Sequence, residues 1–302
     1  MEQNILKRYH SIIRYESVFM SEKKTFLEVK DHSVSGEIFQ LLHNNELEML
    51  ETFPQPDLDK LPYYYKSENY ISHTNSKRNL FERVYHFIRA ISLKRKLKLI
   101  NTLESDGKKL LDVGCGTGDF LELSQKHNWE VFGIEPNESA RIIANQKTVN
   151  KVYDISQLNK FEPKQFDAIT LWHVLEHLPN LNEHIQIFKK LLKSNGTLIL
   201  AVPNYKSFDA KHYKSFWAAY DVPRHLWHFS RTSIYKLVRK FSMGVVKTLP
   251  MRFDAYYVSL LSEKYKSGNM NLIKSFWVGL QSNIKAKRSG EYSSLIYIIK
   301  NK

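Results

Sequence analysis

The chain has one cysteine among its 302 residues, and this scarcity excludes two ways of stabilising a fold. The single thiol, Cys115, can form neither an internal disulfide nor a zinc site built from several cysteines. A chain without disulfides suits a reducing compartment, so we expect a cytoplasmic protein. No stretch approaches about 18 consecutive apolar residues, and residues 1–28 alternate charged and apolar side chains. We therefore expect neither a transmembrane helix nor a secretory signal.

Glycine is also sparse, yet three of the 11 glycines alternate within one short segment. LLDVGCGTGDF, residues 110–120, is an apolar strand pattern that runs into Gly114, Gly116 and Gly118. Glycines let the backbone turn sharply and approach a ligand closely. The dinucleotide fingerprint places its third glycine where this chain has Asp119, and an acidic residue at a helix start opposes a pyrophosphate. The loop therefore favours a cationic adenosyl sulfonium over a dinucleotide.

The net charge of +14 is concentrated in two regions. Residues 61–100 carry nine basic against two acidic side chains, and residues 201–302 carry 18 against five. Such regions could face an acidic substrate, nucleic acid or an anionic membrane surface, or they could simply be solvated.

From Lys109 onward, short apolar runs alternate with helical patterns, which predicts an α/β fold with a parallel sheet. The predicted strands are Lys109–Cys115, Glu130–Glu135, Lys151–Asp154, Phe166–Trp172, Gly196–Val202, Val245–Phe253 and Ser293–Ile299. The predicted helices are Arg78–Asn101, Gly118–Asn128, Glu138–Lys147, Leu181–Lys193 and Thr232–Phe241. Residues 26–53 alternate in short stretches and predict a small β-rich unit.

Two acidic residues end the second and third of these strands. Glu135 is placed to accept both ribose hydroxyls of an adenosine, and Asp154 to accept from an adenine amino group. Turns routinely contain such residues, but their order after successive strands supports a nucleoside site.

Together these segments resemble the motifs of class I S-adenosylmethionine-dependent methyltransferases. The motifs are LLDVGCGTGDF, GIEPN, FDAITLWHVLEHLPN and NGTLILAVPNY, and DVPRHLWHFS at 221–230 is similar to a motif of bacterial small-molecule methyltransferases. The resemblance implies a Rossmann-like seven-stranded sheet, six strands parallel and the last antiparallel, with helices on both faces. It also implies S-adenosylmethionine as cofactor, S-adenosylhomocysteine as product, and a cofactor site formed by Asp112, Gly114, Cys115, Gly116, Gly118, Glu135, Pro136, Asp154, Ile155, Trp172 and His173.

The fourth strand ends at His173, beside the expected position of the methyl group. We take His173 as the first candidate for a base or cofactor contact and His225 as the second, although both can be structural. His173, Glu176 and His177 have a spacing that could bind a metal. They resemble part of a motif of RNA 2′-O-methyltransferases, with His225 or His228 as a distant fourth ligand. The commoner family pattern closes the strand here without a metal, and we expect none.

Residues 205–230 form an aromatic and basic insertion where a lid belongs. We expect the acceptor to be lined by Tyr70, His73, Tyr220, Arg224 and Trp227. We divide the chain into a small N-terminal module (1–60), a helical cap or linker (61–101) and a methyltransferase domain (102–302). Related proteins often carry a zinc module with Cys-x-x-Cys pairs at the N-terminus, but residues 1–60 contain no cysteine, so that module must hold together by packing.

The sequence thus predicts methyl transfer to oxygen or carbon of a small or lipid-like acceptor, which the basic regions suggest is acidic or phosphorylated. Two alternatives remain open: RNA 2′-O-methylation with a metal-assisted site, and a binding or scaffold protein without turnover. We expect a monomer or a homodimer, with nucleic acid a less favoured partner.

Overall fold

The computed structural model describes residues 24–57, 59–65, 80–103 and 107–302, and for residues 80–87 it describes the backbone only. The strands are β1 Thr25–Lys30, β2 Ile38–Asn44, β3 Met49–Phe53, β4 Lys109–Val113, β5 Glu130–Ile134, β6 Val152–Tyr153, β7 Phe166–Trp172, β8 Leu192–Pro203, β9 Trp227–His228, β10 Met243–Pro250 and β11 Ser294–Asn301. The helices are α1 Leu61–Tyr64, α2 Leu80–Ile100, α3 Asp119–Gln125, α4 Glu138–Thr148, α5 Leu181–Leu191, α6 Phe208–Tyr213, α7 Arg231–Arg239, α8 Asp254–Ser267 and α9 Leu272–Ser289.

The larger sheet has seven strands in the order β10-β11-β8-β7-β4-β5-β6. Strands β8, β7, β4, β5 and β6 pair in parallel. Strand β11 inserts between β10 and β8 and runs antiparallel to both. The predicted sheet, with six parallel strands and an antiparallel last strand, is confirmed.

The centre of this sheet is covered on both faces. Every residue of β7 is buried, as expected for a parallel strand between two helical layers. One apolar cluster contains Ile185 and Phe188 of α5, and a second contains Leu97 and Ile100 of α2. The continuous apolar runs in the sequence therefore become central strands, whose carboxyl ends meet at one edge.

The smaller sheet contains β1, β2, β3 and β9. Its fourth strand comes from the 205–230 insertion, because Leu50 pairs with His228 and Glu51 with Trp227. Residues of the N-terminal strands also share an apolar cluster with Trp217 and Tyr220 of the insertion. The N-terminal strands and the insertion are thus packed as one structural unit.

Two helices between β10 and β11 were not predicted from the sequence. Strand β10 ends at Pro250, short of the predicted Phe253, and α8 and α9 follow. Helix α5 ends at Leu191 rather than Lys193, because β8 begins four residues earlier than predicted. Within the described residues, no helix is long and apolar enough to cross a membrane.

Candidate functional site

The glycine loop turns directly after β4 and brings its backbone to the carboxyl edge of the sheet. Gly114 and Gly116 have φ angles of 70° and 55°, a region that side chains rarely adopt. A Cβ on Gly114 would lie 2.4 Å from Val174 Cγ2, whereas a Cβ on Gly116 would meet no atom within 4 Å. The loop therefore packs tightly against the end of β7 on one side and leaves an open cradle at Gly116.

Glu135 connects this loop to the end of β5. Its carboxylate accepts hydrogen bonds from the backbone N–H of Gly116 (2.8 Å) and Asn137 (2.9 Å). Burial raises the pKa of Glu135, while these two N–H groups and Arg141 oppose the shift. Because a carboxylate has about four acceptor positions, Glu135 retains capacity for hydroxyl groups of a ligand.

Asp112 and Lys96 are two ionisable groups whose charges interact at the end of β4. Asp112 is buried and accepts a 2.6 Å hydrogen bond from the Thr170 hydroxyl. Burial raises the pKa of Asp112 to about 7, although Thr170 and Lys96 oppose the shift. Burial lowers the pKa of Lys96 to about 8, against the attraction of Asp112. Both groups therefore titrate near neutrality, where a charged ligand can change their protonation.

Aromatic side chains surround Lys96 and supply the best test of ligand fit. The Lys96 ammonium lies 4.5 Å from the ring centre of Trp172, which is itself 9% exposed. The indole Nε1 of Trp172 is buried and has no hydrogen-bond partner in the described part of the chain. An orphaned donor, an open glycine cradle and a carboxylate with free acceptor positions are compatible with a polar nucleoside ligand.

Asp119, the residue that disfavoured a dinucleotide, forms ion pairs with two basic side chains at the start of α3. Arg89 of α2 and Lys147 of α4 (2.6 Å) both pair with its carboxylate. Burial would raise the pKa of Asp119, but Lys147 and Arg89 lower it overall. The carboxylate therefore ties two helices to the loop.

The predicted adenine-side residues lie along the ends of β5 and β6. Asp154 caps a short 3-10 helix that begins at Ile155, accepting from the N–H of Ser156. Arg141 donates to the carbonyls of Glu135 and Pro136 and lies 3.6 Å from the Asp154 carboxylate. These contacts hold the backbone between the two strands, next to the glycine loop.

His173 lies at the end of β7 between two carboxylates. Its Nε2 is 3.0 Å from Asp254 at the start of α8, and its Nδ1 is 3.4 Å from Glu176. Burial would lower the pKa of His173, but Asp254 and Glu176 raise it to about 10. An imidazolium at neutral pH holds no lone pair for a proton, so this geometry disfavours His173 as a base.

Glu176, His177 and His225 could hold a cation. Their nearest donor atoms lie within 4.8 Å of one another. The Nδ1 atoms of His177 and His225 contact the carbonyls of Arg224 (3.0 Å) and Ala219 (2.9 Å), which leaves Nε2 as a potential ligand. Of the residues that the sequence proposed for a metal, the structure brings Glu176 and His177 together with the distant His225. Both carboxylate oxygens of the buried Glu176 lack a hydrogen-bond partner in the described part of the chain, although His173 Nδ1 lies 3.4 Å from one of them.

Two of the predicted acceptor-lining residues are buried inside the packed unit of module and insertion. Tyr220 is enclosed by Trp217 and His228, and Arg224 pairs with Asp221 (2.7 Å) and Asp31 (3.3 Å). Trp227 is partly exposed and donates to the Leu178 carbonyl. Tyr70 and His73 lie outside the described residues.

Sequence reasoning missed Lys96, Arg89 and Asp254. The excess of basic residues at 61–100 does not indicate which lysine of α2 lies over the ring of Trp172. Asp254 directly follows the predicted strand Val245–Phe253, and no helix was predicted after that strand. The only available signal was the basic run next to a neutral central region.

Comparison with known proteins agrees with this architecture. A family model described as "Methyltransferase domain" matches residues 79–247, more than half of the chain. Ubiquinone biosynthesis O-methyltransferase of Coxiella burnetii is 36% identical over 121 residues, covering 38% of this chain and 51% of that protein. The enzyme of the same name from Histophilus somni is 37% identical over 108 residues, covering 32% and 45%. The chain thus spans about half the length of the curated relatives it matches.

Solved structures support the fold. A SAM-dependent methyltransferase from Archaeoglobus fulgidus aligns with a TM-score of 0.50 and 17% identity, over 74% of this chain and 100% of that one. Geranyl diphosphate methyltransferase in complex with SAM aligns with a TM-score of 0.52 and 12% identity, over 76% and 93%. With the family model matched across the glycine loop and the central strands, the chain belongs to the methyltransferase-domain family.

Proposed function

We propose that the chain transfers a methyl group from S-adenosylmethionine to oxygen or carbon of a small-molecule acceptor. The observation that carries the proposal is the link between the glycine loop and Glu135, because it joins the ends of β4 and β5 around an open cradle. Family membership and the names of the relatives support the same activity. When bound, the cofactor supplies an electrophilic methyl group on a sulfonium.

In this proposal, each part of the donor meets a group suited to it. Glu135 accepts from the ribose hydroxyls, and the Asp154–Ile155 backbone borders the adenine. Asp112 and Lys96 provide opposite charges where an amino acid with an ammonium and a carboxylate would lie. The Lys96 contact is our addition to the residues that the family motifs imply.

A cavity of about 290 Å³ lies between α2, α8 and α9 and is our candidate for the acceptor. Its wall combines the apolar side chains of Phe253, Leu280 and Ile284 with the cationic groups of Arg95, Arg252 and Lys287. Phe253 immediately precedes Asp254, which pairs with His173 at the end of β7. This lining suits an apolar acceptor that carries an acidic or phosphorylated group.

The chemistry then depends mainly on alignment. In a displacement at carbon, the acceptor atom must lie in line with the methyl group and sulfur, and good positioning supplies much of the rate. The carbon–sulfur bond breaks as the new bond forms, and the acceptor loses a proton. Since Asp254 and Glu176 raise the pKa of His173 to about 10 against the effect of burial, we propose that His173 holds the two carboxylates in place. We further propose that the acceptor is acidic enough to release its proton to solvent without a strong base.

The test is a methyl-transfer assay with labelled donor and three acceptor sets: phenolic acids, phosphorylated isoprenoids and an RNA oligonucleotide. We expect label in an organic extract of at least one small-molecule set and none in RNA. Chelator should leave the rate unchanged, because no step is assigned to a metal. Label in RNA that is lost in chelator and restored by one divalent ion would favour the RNA alternative. Donor binding without turnover on any acceptor would favour the scaffold alternative.

A further inference from the structure

Helix α9 has its large apolar residues on the outside. The residues that face the protein are mostly small or polar, namely Ser275, Val278, Gly279, Ser282, Asn283 and Ala286. By contrast, Ile273 is 75% exposed and Trp277 56% exposed, and Leu272, Phe276 and Ile284 are also exposed. A helix of a globular protein normally shows the opposite arrangement. We call this surface of α9, with Met270 before it, the outer apolar face.

Basic side chains border the outer apolar face. Helices α8 and α9 contain six lysine and arginine residues and two acidic ones. The two acidic side chains are engaged inside the protein, Asp254 with His173 and the buried Glu263 with Lys274. Lys266, Lys287 and Arg288 are exposed. The region therefore combines an apolar surface with a net positive charge.

We propose that the outer apolar face docks on a bilayer surface that contains anionic lipids. A tryptophan and aliphatic side chains on one helix face, flanked by lysine and arginine, match the requirements of an interfacial helix. The basic border is attracted to anionic headgroups, whereas it would repel a second copy of the same surface. Helix α9 would lie in the plane of the interface and insert only its exposed side chains.

The acceptor cavity opens next to this face. Leu280 and Ile284 belong to α9 and also line the cavity. A lipid-soluble acceptor could therefore pass from the bilayer surface into the cavity without crossing water. This last link rests on the proposed function, but the docking itself does not.

Vesicle flotation without any cofactor tests the docking. The full chain should float with phosphatidylglycerol-containing vesicles at least tenfold more than with phosphatidylcholine vesicles, and 0.5 M salt should weaken this binding. An Ile273→Ser/Trp277→Ser variant should bind these anionic vesicles at least tenfold more weakly than the wild type. A control variant, Ile38→Ser/Val246→Ser, removes comparably exposed apolar residues from other surfaces, and its vesicle binding should stay within twofold of the wild type. Lys287→Gln/Arg288→Gln should reduce binding to anionic vesicles, whereas Lys189→Gln/Lys190→Gln on α5 should not.

Three outcomes would overturn the proposal. Equal flotation of the two serine variants would show that the outer apolar face is not the contact. A dimer that only the Ile273/Trp277 variant disrupts would assign the face to a second copy. Finally, acrylamide quenching of tryptophan fluorescence can be compared between the wild type and Trp277→Phe, both as monomers without vesicles. The difference between the two measures how accessible Trp277 is to solvent. If there is no difference, another segment of the chain covers the outer apolar face. Because none of these measurements needs the donor, they can fail while the proposed function stands.

Discussion

At the residue scale, Asp112 and Lys96 give the crevice its most distinctive property. They carry opposite charges, and burial moves both pKa values toward neutrality, Asp112 to about 7 and Lys96 to about 8. A ligand with both an ammonium and a carboxylate therefore favours the state in which both groups are charged. The affinity of such a ligand should depend on pH within the range where proteins are usually assayed.

We predict that S-adenosylhomocysteine binds most tightly between about pH 7 and 8. Below this range, Asp112 becomes protonated, and affinity should fall by up to about tenfold per pH unit because one proton is linked to binding. Above it, Lys96 loses its charge and affinity should fall again. Calorimetric titration from pH 5.5 to 9.5 measures the fall in affinity on both sides of this range. Asp112→Asn should remove the fall at low pH. A flat profile for the wild type would contradict the placement of these two groups at the ligand.

His173 gives a second prediction, about stability. Its folded pKa is raised from 6.5 to about 10, so its ion pairs contribute stability that is fully present below about pH 6.5 and is lost as pH rises toward 10. His173→Asn removes the charge and suits the φ of 58° at this position. The difference in Tm between wild type and variant should be largest near pH 6 and shrink toward pH 10. A difference that grows with pH would show that His173 is not held as an imidazolium.

At the scale of elements, Arg224 connects the N-terminal strands to the insertion. Its buried guanidinium pairs with Asp31, at the end of β1, and with Asp221, and it donates to the carbonyl of Tyr64 in α1. Asp31 also accepts from the backbone N–H of Ser35. The arginine therefore joins the small sheet and the segment before β9.

We predict that Arg224→Met destabilises the protein by about 3–5 kcal/mol, because it leaves the buried Asp31 and the partly buried Asp221 without their cation. Lys60→Met, which removes an exposed pair with Asp57, should cost at most about 1 kcal/mol. Denaturant unfolding of both variants measures the difference. Equal small losses would mean that Arg224 has access to solvent and serves some purpose other than joining these elements.

The elements that the sequence predicted well are those whose apolar pattern matches their burial. Strand β7, FDAITLW, is mostly apolar and buried along its whole length, and it was predicted with its observed ends. Helix α9 escaped prediction because its inward residues are small or polar and its large apolar residues face outward, which inverts the expected stripe. The packing of the N-terminal strands on β9 depends on pairing across almost 180 residues, which no local pattern contains.

Among the cofactor residues, too, the sequence predicted those that lie in local motifs and missed those that depend on long-range packing. The glycine loop and Glu135 are consecutive in local motifs, and their hydrogen bond follows from the parallel pairing of β4 with β5. The motif-based fold and family are confirmed, whereas the assignments of individual site residues stay predictions. Lys96 and Asp254 reach the crevice from outside those motifs, through tertiary packing alone. The sequence was therefore least informative about the groups that set charge around the site.

At the scale of the whole molecule, the segment that matches the methyltransferase domain is followed by two helices with basic residues and an exposed apolar surface. The methyltransferase-domain match covers residues 79–247, and α8 and α9 lie beyond it. Half of the 18 basic residues of the C-terminal region lie beyond the matched segment, where α8 and α9 border the acceptor cavity and carry the outer apolar face. This arrangement separates donor binding, which the family segment provides, from acceptor selection, which we assign to the added helices.

The central claim is that the glycine loop and Glu135 bind an adenosyl donor. The most direct measurement is thermal unfolding with S-adenosylhomocysteine, with NAD and with neither, for the wild type, Glu135→Ala and the control Glu130→Ala. Glu130 begins strand β5, which Glu135 directly follows, but it pairs with Lys109 at the surface. Ligand at 100 times its Kd adds about 2.7 kcal/mol to the free energy of unfolding, so we expect S-adenosylhomocysteine to raise the Tm of the wild type and of Glu130→Ala. The shift should be weak or absent in Glu135→Ala, and NAD should leave all three unchanged. A rise with NAD, or no rise with S-adenosylhomocysteine, would contradict the account.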